Sequence, residues 1–152
     1  MITFTTPPAF REFFRSHQRF AYSAFFEATS GTMRKLASEH TYFPGDISGF
    51  FGVLHTWGRQ MNYHPHIHYI VPGGAFNSND HSWHSSNKEF YLPIRVMSKL
   101  VKHRIYIKMK KRRIQYPVVL NIIQMSGICI SFRLNICFMP GLPDTLLIAN
   151  IR

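Results

Sequence analysis

The residues with the clearest capacity for chemistry are three alternating histidines, His64, His66 and His68, in the segment 64–71. Side chains on a β-strand alternate between its two faces, so the three imidazoles would share one face with Ile70. Two imidazoles at positions i and i+2 lie roughly 6.5–7 Å apart at their Cα atoms and can converge on one divalent ion. We therefore predict that His66 and His68 bind a metal.

A third imidazole is available from the preceding segment, 50–57, which is also predicted to be a strand. If the turn between the two strands is centred near residue 60, His55 lies opposite His66 on an antiparallel partner. Opposed side chains on one face approach to about 4.5–5.5 Å at their Cβ atoms. His55 is accordingly the expected third ligand, and the expected ion is Mg²⁺, Mn²⁺ or another divalent cation.

Other roles for these residues stay open at this point. A single histidine in a strand is usually a hydrogen-bonded structural residue, although three alternating ones beside Pro65 are much rarer by chance. His64 is suited equally to a place behind the ligands or to contact with DNA. Trp57 and Trp83 could stack on bases, but anchoring in the core or in a loop is the more common use. Arg59, in the turn, is a further candidate for nucleic-acid contact.

The elements around the histidines indicate an α+β fold. A short strand is predicted at residues 1–6, and a helix is predicted at 9–30 because its phenylalanines and alanines recur at spacings of three and four. We expect an antiparallel sheet with this phenylalanine-rich helix on one face. Three further elements are expected: a surface loop at 77–87, a short strand at 90–94 and the beginning of a helix at 96–100.

The composition divides the chain near residue 100. Residues 1–98 carry a net charge of +2 and residues 99–152 a net charge of +9, which together make the +11 of the whole chain. The basic run 102–113 contains no acid, and the isoleucine-rich stretch after it lacks the periodicity of a strand or a helix. We expect residues 101–152 to be a poorly ordered tail, read from a shifted frame or from unrelated DNA, whose charge has no selected meaning.

Cysteine usage and hydropathy exclude several classes of protein. Cys129 and Cys137 are too few for a disulfide framework and form no CxxC metal pair, which fits a reducing compartment. The sequence has no recognisable secretory signal, and none of its stretches reaches about 18 uninterrupted apolar residues. Neither secretion nor a membrane partner is therefore expected.

Two ordered runs of residues carry a resemblance to a known family. They resemble the two-tyrosine HUH transposases of the insertion-sequence-ninety-one type, over roughly residues 1–100. The resemblance implies an HUH-endonuclease core of ferredoxin-like or RRM-like form, here incomplete, in which His66 and His68 bind the ion. The residues that carry it are 53–60 (VLHTWGRQ) and 64–74 (HPHIHYIVPGG), supported by 4–7, Trp83 and 91–98.

The resemblance also implies a function. In that family the ion polarises the scissile phosphate of single-stranded DNA at the transposon ends, and a tyrosine hydroxyl attacks it, which leaves a 5′-phosphotyrosine and a free 3′-OH. Such an enzyme acts in the bacterial cytoplasm, in association with the nucleoid, and needs no small-molecule substrate.

The chain departs from that family at both ends. It lacks the family's N-terminal cysteine-rich segment, and beyond about residue 102 its only tyrosines are Tyr106 and Tyr116. Pro117 disfavours a helix at Tyr116, so both tyrosines are weak candidates for the nucleophile. We therefore expect a truncated, inactive transposase that still binds DNA and metal. The alternative is a small non-catalytic protein with a structural histidine metal site.

Overall fold

The computed structural model describes residues 1–39, 49–86, 92–114, 116, 117 and 119. Within these residues, strands and helices follow one another in an order typical of an α+β fold. The elements are β1 (Ile2–Thr5), a 3-10 turn (Pro8–Phe10), α1 (Arg11–Ser16), α2 (Gln18–Ala37), β2 (Phe51–Trp57), β3 (Tyr63–Ile70), β4 (Gly74–Asn77), β5 (Ser82–Ser85) and α3 (Ile94–Lys111).

Strand β3 is the centre of a three-stranded antiparallel sheet with the order β1-β3-β2. Ile67 and Tyr69 are buried on one face, where they join the core formed with the helices. The alternate residues of β3 face the other way, and Ile70 there is 55% exposed. The predicted α+β arrangement, an antiparallel sheet with helices on one face, is confirmed and is compatible with an incomplete HUH-like core.

The helical layer consists mainly of α2 and α3, which pack against each other. The predicted helix at 9–30 is divided at His17, and α2 continues through Gly31 to Ala37. A Cβ atom at Gly31 would lie 2.8 Å from Nη1 of Arg104, so the glycine leaves room for that side chain of α3. Among the helices of the described residues, none combines the length and the apolar character that a membrane span requires.

Helix α3 extends well beyond the predicted start of a helix at 96–100. It runs from Ile94 to Lys111, and the expected boundary near residue 100 falls inside it. Residues 101–111 are therefore part of the folded layer, because an apolar stripe at spacings of four continues across the boundary. The rest of the expected tail lies largely outside the described residues. The stripe consists of Met97, Val101, Ile105 and Met109, all of which are buried.

Strand β5 lies inside the segment 77–87 that was predicted to be a surface loop, and it forms a hairpin with β4, which ends where that segment begins. Its turn is built from polar side chains: Asn79 donates its backbone N–H to Asn77 Oδ1 (2.9 Å), and Ser82 donates to Asp80 Oδ1 (3.0 Å). The loop prediction is correct for the turn and wrong for β5. Of the short strand expected at 90–94, Ile94 instead begins α3, and residues 90 and 91 lie outside the described part.

Candidate metal centre

The pairing of β2 with β3 sets the positions of the histidines. His55 lies opposite His66, as the sequence predicted from a turn near residue 60. The turn closes because Gly58 donates its backbone N–H to the carbonyl of Asn62 (2.9 Å), and Met61 adopts a positive φ of 56°. The two strands therefore present their histidines on one face of the sheet.

Three imidazoles converge on this face. The ring centroids of His55 and His66 are 5.3 Å apart, and that of His68 lies 4.8 Å from His55 and 4.7 Å from His66. One ring nitrogen from each residue can be chosen so that all three lie within 4.8 Å of one another. We call these three residues the histidine triad.

Hydrogen bonds behind the triad fix the orientation of two rings. Nδ1 of His66 donates to the backbone carbonyl of His64 (2.7 Å), and Nδ1 of His68 is hydrogen-bonded to the Thr3 hydroxyl (2.8 Å). Each ring therefore has Nε2 left for a ligand. A partner on the second ring nitrogen is the usual arrangement for metal-binding histidines, because it sets both the tautomer and the ring orientation.

The protonation state of His68 suits a metal ligand. Burial, together with the neighbouring His66 and His55, lowers the pKa of His68 to about 4. Burial also lowers the pKa of His64, with added effects from Arg11 and His66. His68 is therefore neutral at pH 7, and neutral imidazole is the form that binds metal ions.

The donor set fits a divalent ion with open coordination positions. It offers three nitrogen atoms from two hydrogen-bonded strands, and His55 is exposed while His66 and His68 are half-buried. Imidazole is a suitable ligand for several divalent transition metals. Because His55 is exposed, a further ligand such as a phosphate oxygen could approach the triad from solvent at that residue.

The residues predicted to contact nucleic acid lie around the triad. Trp57 is 56% exposed at the end of β2, and its ring contacts that of Tyr63 edge-on at 6.3 Å. A register irregularity separates it from His55. The His64 ring lies 5.6 Å from that of His66, and its Nδ1 is 3.4 Å from Nη2 of Arg11. Arg59 is exposed in the turn between the strands.

The two weak candidates for a nucleophile lie with the helices instead. Tyr106 is half-buried on α3. Tyr116 packs its ring against Phe13 (5.3 Å) and His17 (6.2 Å), and burial, followed by the negative charge of Glu12, raises its pKa. A raised pKa makes a phenol a weaker nucleophile at neutral pH. The structure thus brings neither tyrosine to the triad.

Thr3 and Arg11 are contacts of the site that the sequence analysis missed. Thr3 reaches His68 because β1 pairs with β3 in a register that places these two residues opposite each other. Arg11 reaches His64 from the first turn of α1. Only the register of β1 could have indicated Thr3, and no local pattern marks Arg11.

Comparison with known proteins identifies relatives among transposases. A family model described as "Putative transposase" matches residues 49–124, which is half of the 152 residues and includes the triad and α3. A protein described as "Putative transposase y4qJ", from Sinorhizobium fredii (strain NBRC 101917 / NGR234), is 36% identical over 107 residues, which are 70% of this chain and 26% of that protein.

A second relative is the transposase for insertion sequence element IS801 of Pseudomonas savastanoi pv. phaseolicola. It is 52% identical over 29 residues, which are 19% of this chain and 7% of that protein. The chain thus spans about a quarter or less of the length of these relatives, and no solved structure matches it. The family match over half of the chain shows that the protein belongs to this family of transposases.

Proposed function

We propose that the chain holds a divalent ion, Mg²⁺ or Mn²⁺, with the histidine triad and binds single-stranded DNA at transposon ends, as two-tyrosine HUH transposases do. The observation that carries this proposal is the convergence of three imidazoles on the open face of one sheet. Such a protein acts at the nucleoid in the bacterial cytoplasm and needs no small-molecule substrate.

The triad is suited to this chemistry because its rings are held before any ion arrives. The contacts of His66 with a backbone carbonyl and of His68 with Thr3 limit rotation of the two rings. A bound divalent ion would stabilise negative charge on the phosphoryl oxygens and orient the scissile phosphate. The exposed position of His55 leaves the approach to the triad open to a DNA strand.

Three residues near the triad would contact the DNA strand itself. Trp57 exposes its ring two residues along β2 from His55, and stacking of a base on an aromatic ring needs no particular base. His64 lies next to His66, within reach of a neighbouring phosphate. Arg59 adds a positive charge in the adjacent turn. These roles explain binding along a strand rather than recognition of a sequence.

Tyr106 and Tyr116 do not act as nucleophiles in this proposal. Placement of the reacting groups alone supplies roughly 7–11 kcal/mol of barrier reduction, and neither tyrosine is placed beside the triad. We therefore expect metal and DNA binding by this chain without cleavage through either residue. A nucleophile on the further residues that the longer relatives possess would be compatible with the same triad.

A structural metal site is the rival function, and the geometry of the triad argues against it. Structural zinc sites are closed by four protein ligands, whereas catalytic sites keep a position open. The triad offers three nitrogen atoms, one of them on an exposed side chain. The apolar core also lies on the opposite face of the sheet and includes none of the three histidines.

Calorimetric titration of Mn²⁺ tests the metal site. The His66→Ala/His68→Ala variant should lose detectable binding, because two of three ligands are removed. The matched control is His81→Ala/His84→Ala, which removes two histidines of the β4–β5 hairpin and should bind Mn²⁺ as the wild type does. Equal affinity in the wild type and in the triad variant would reject the site. Unfolding on addition of EDTA would instead favour the structural rival.

Incubation with labelled single-stranded DNA carrying transposon ends, in the presence of Mn²⁺, tests the proposal on cleavage. We expect retained DNA but no covalent protein–DNA band. A band that disappears in Tyr106→Phe or in Tyr116→Phe would show that this chain cleaves DNA through that residue.

A further inference from the structure

A basic cleft lies between α2 and α3, in the helical layer that covers the sheet face away from the histidine triad. It has a volume of about 1020 Å³. Phe20, Ala24 and Ile114 contribute apolar surface to its lining. The charged residues that line it are Arg19, Glu27, Lys108, Lys111 and Arg112.

The cleft contains more positively charged side chains than its ion pair and the end of α3 require. Lys108 forms an ion pair with Glu27 across the two helices. Arg19, Lys111 and Arg112 have no ion-pair partner among the described residues. The carboxyl end of a helix carries the equivalent of about half a negative charge, which one neighbouring cation is enough to complement. Even if one of the three complements the helix end, two cations remain, and a bound anion would relieve the repulsion between them.

The charge of α3 as a whole strengthens this conclusion. Residues 94–113 contain nine Lys or Arg residues and no acid. From the sequence alone, the basic run 102–113 was expected to belong to an unrelated tail whose charge has no selected meaning. The structure instead places this run in a packed helix and at its carboxyl end, and the transposase family model matches the chain as far as residue 124.

We propose that the basic cleft is a second DNA-binding surface, which holds the sugar–phosphate backbone of DNA beyond the segment at the triad. Its cations contact phosphates, and its apolar lining accommodates the sugars. The inference deepens the proposed function, since both surfaces would hold the same nucleic acid. It differs from that function in needing no metal, because the contacts at the cleft are made by Lys and Arg alone.

Fluorescence anisotropy in EDTA isolates the basic cleft from the triad. The probe is a labelled DNA duplex with a single-stranded extension, titrated at several salt concentrations. Lys111→Glu/Arg112→Glu should weaken binding by about tenfold or more at low salt, and should reduce the slope of log affinity against log salt by about two, because each phosphate contact contributes roughly 0.7 to 0.9.

The matched control is Arg95→Glu/Lys99→Glu, which makes the same change in charge at two exposed positions of α3 outside the cleft. It should keep most of the affinity and the salt slope. Equal losses in this control and in the cleft variant would overturn the inference, because net charge alone would then explain binding. Unchanged binding in the cleft variant, or absence of binding by the wild type in EDTA, would overturn it as well.

A neutral variant removes a possible effect on folding, because glutamate at the carboxyl end of α3 is unfavourable for the helix itself. Lys111→Gln/Arg112→Gln should reduce the salt slope by the same amount while keeping the wild-type melting temperature. A wild-type slope in this variant would contradict the inference. Failure of Mn²⁺ binding at the triad would reject the metal site and leave the result in EDTA unaffected, so the two proposals can fail separately.

Discussion

The two faces of strand β3 differ in what they contribute to the protein. Ile67 and Tyr69 are 0% and 2% exposed and pack into the core beneath the helices. His66 and His68, which alternate with them, contact each other and His55 on the other face. The difference indicates that adjacent residues of one strand can be changed with separate consequences: stability depends on one face and ligand binding on the other.

Specific contacts also fix the residues on the buried face of the sheet. The hydroxyl of Tyr69 is hydrogen-bonded to that of Thr29 in α2 at 2.8 Å, which ties the sheet to the helical layer. The Tyr69 ring lies across Gly52 of β2, where an added Cβ would collide with the ring. The glycine therefore allows the large aromatic ring to be buried without separating the two strands.

The largest expected effect comes from replacing two neighbouring residues of β3 by alanine, one on each face. Ile67→Ala should lower the free energy of unfolding by about 2–5 kcal/mol, because it leaves a cavity in a packed core. His68→Ala should change the stability of the metal-free protein much less, since its ring lies on the other face. Urea denaturation in EDTA, followed by circular dichroism, measures both. Similar losses in the two variants would show that the faces are not independent.

The sequence was sufficient to predict the central strands and the convergence of the histidines. Alternation along 64–71 defined the two faces, and the polar turn near residue 60 defined the register that places His55 opposite His66. Both are local properties, because the two strands are neighbours in the sequence and a short turn allows little choice of pairing.

The elements that the sequence did not reveal depend on tertiary contacts. Strands β4 and β5 have only four residues each, so their turn residues dominate the composition of the segment. In α3 a narrow stripe of buried residues occurs within a strongly basic sequence. The stripe is recognisable as part of the core only when the packing of α3 against α2 is known. Thr3 contacts His68 only through the pairing of strands that are 65 residues apart in sequence.

The next largest expected effect is a loss of affinity for DNA without a loss of stability. Trp57→Ala should weaken binding of single-stranded DNA by about tenfold, since stacking of one base contributes roughly 1–3 kcal/mol. Its exposure predicts little change in stability. Trp83→Ala, in the β4–β5 hairpin, is the control, and it should bind DNA as the wild type does. An equal loss in both variants, measured by anisotropy with Mn²⁺ present, would contradict a specific role for Trp57.

A smaller effect is expected from the residue behind the triad. Thr3→Val removes the hydroxyl that contacts Nδ1 of His68 and preserves the shape of the side chain. Loss of such a second contact typically lowers metal affinity by about 10- to 100-fold, and we expect the lower end because His66 keeps its own contact. Thr3→Ser retains a hydroxyl and should recover most of the affinity for Mn²⁺. A calorimetric result in which serine and valine behave alike would exclude this orienting role.

The smallest expected effect is a difference in how the free energy of unfolding depends on pH for variants on the two faces. Burial raises the pKa of Tyr69 above its usual value of 10.0, so the folded protein resists ionisation of a phenol that ionises freely in the unfolded chain. The corresponding stability is complete below about pH 10 and is lost as the pH rises through the folded pKa. Tyr69→Phe should cost about 1 kcal/mol at pH 7 through loss of the bond to Thr29, and this difference should shrink above pH 10 because phenylalanine does not ionise. Above pH 10, the free energy of unfolding of His68→Ala should depend on pH as that of the wild type does, because the imidazole of His68 is already neutral there. Urea denaturation from pH 7 to 11 measures these differences. A constant difference between Tyr69→Phe and the wild type over this range would refute the role of Tyr69.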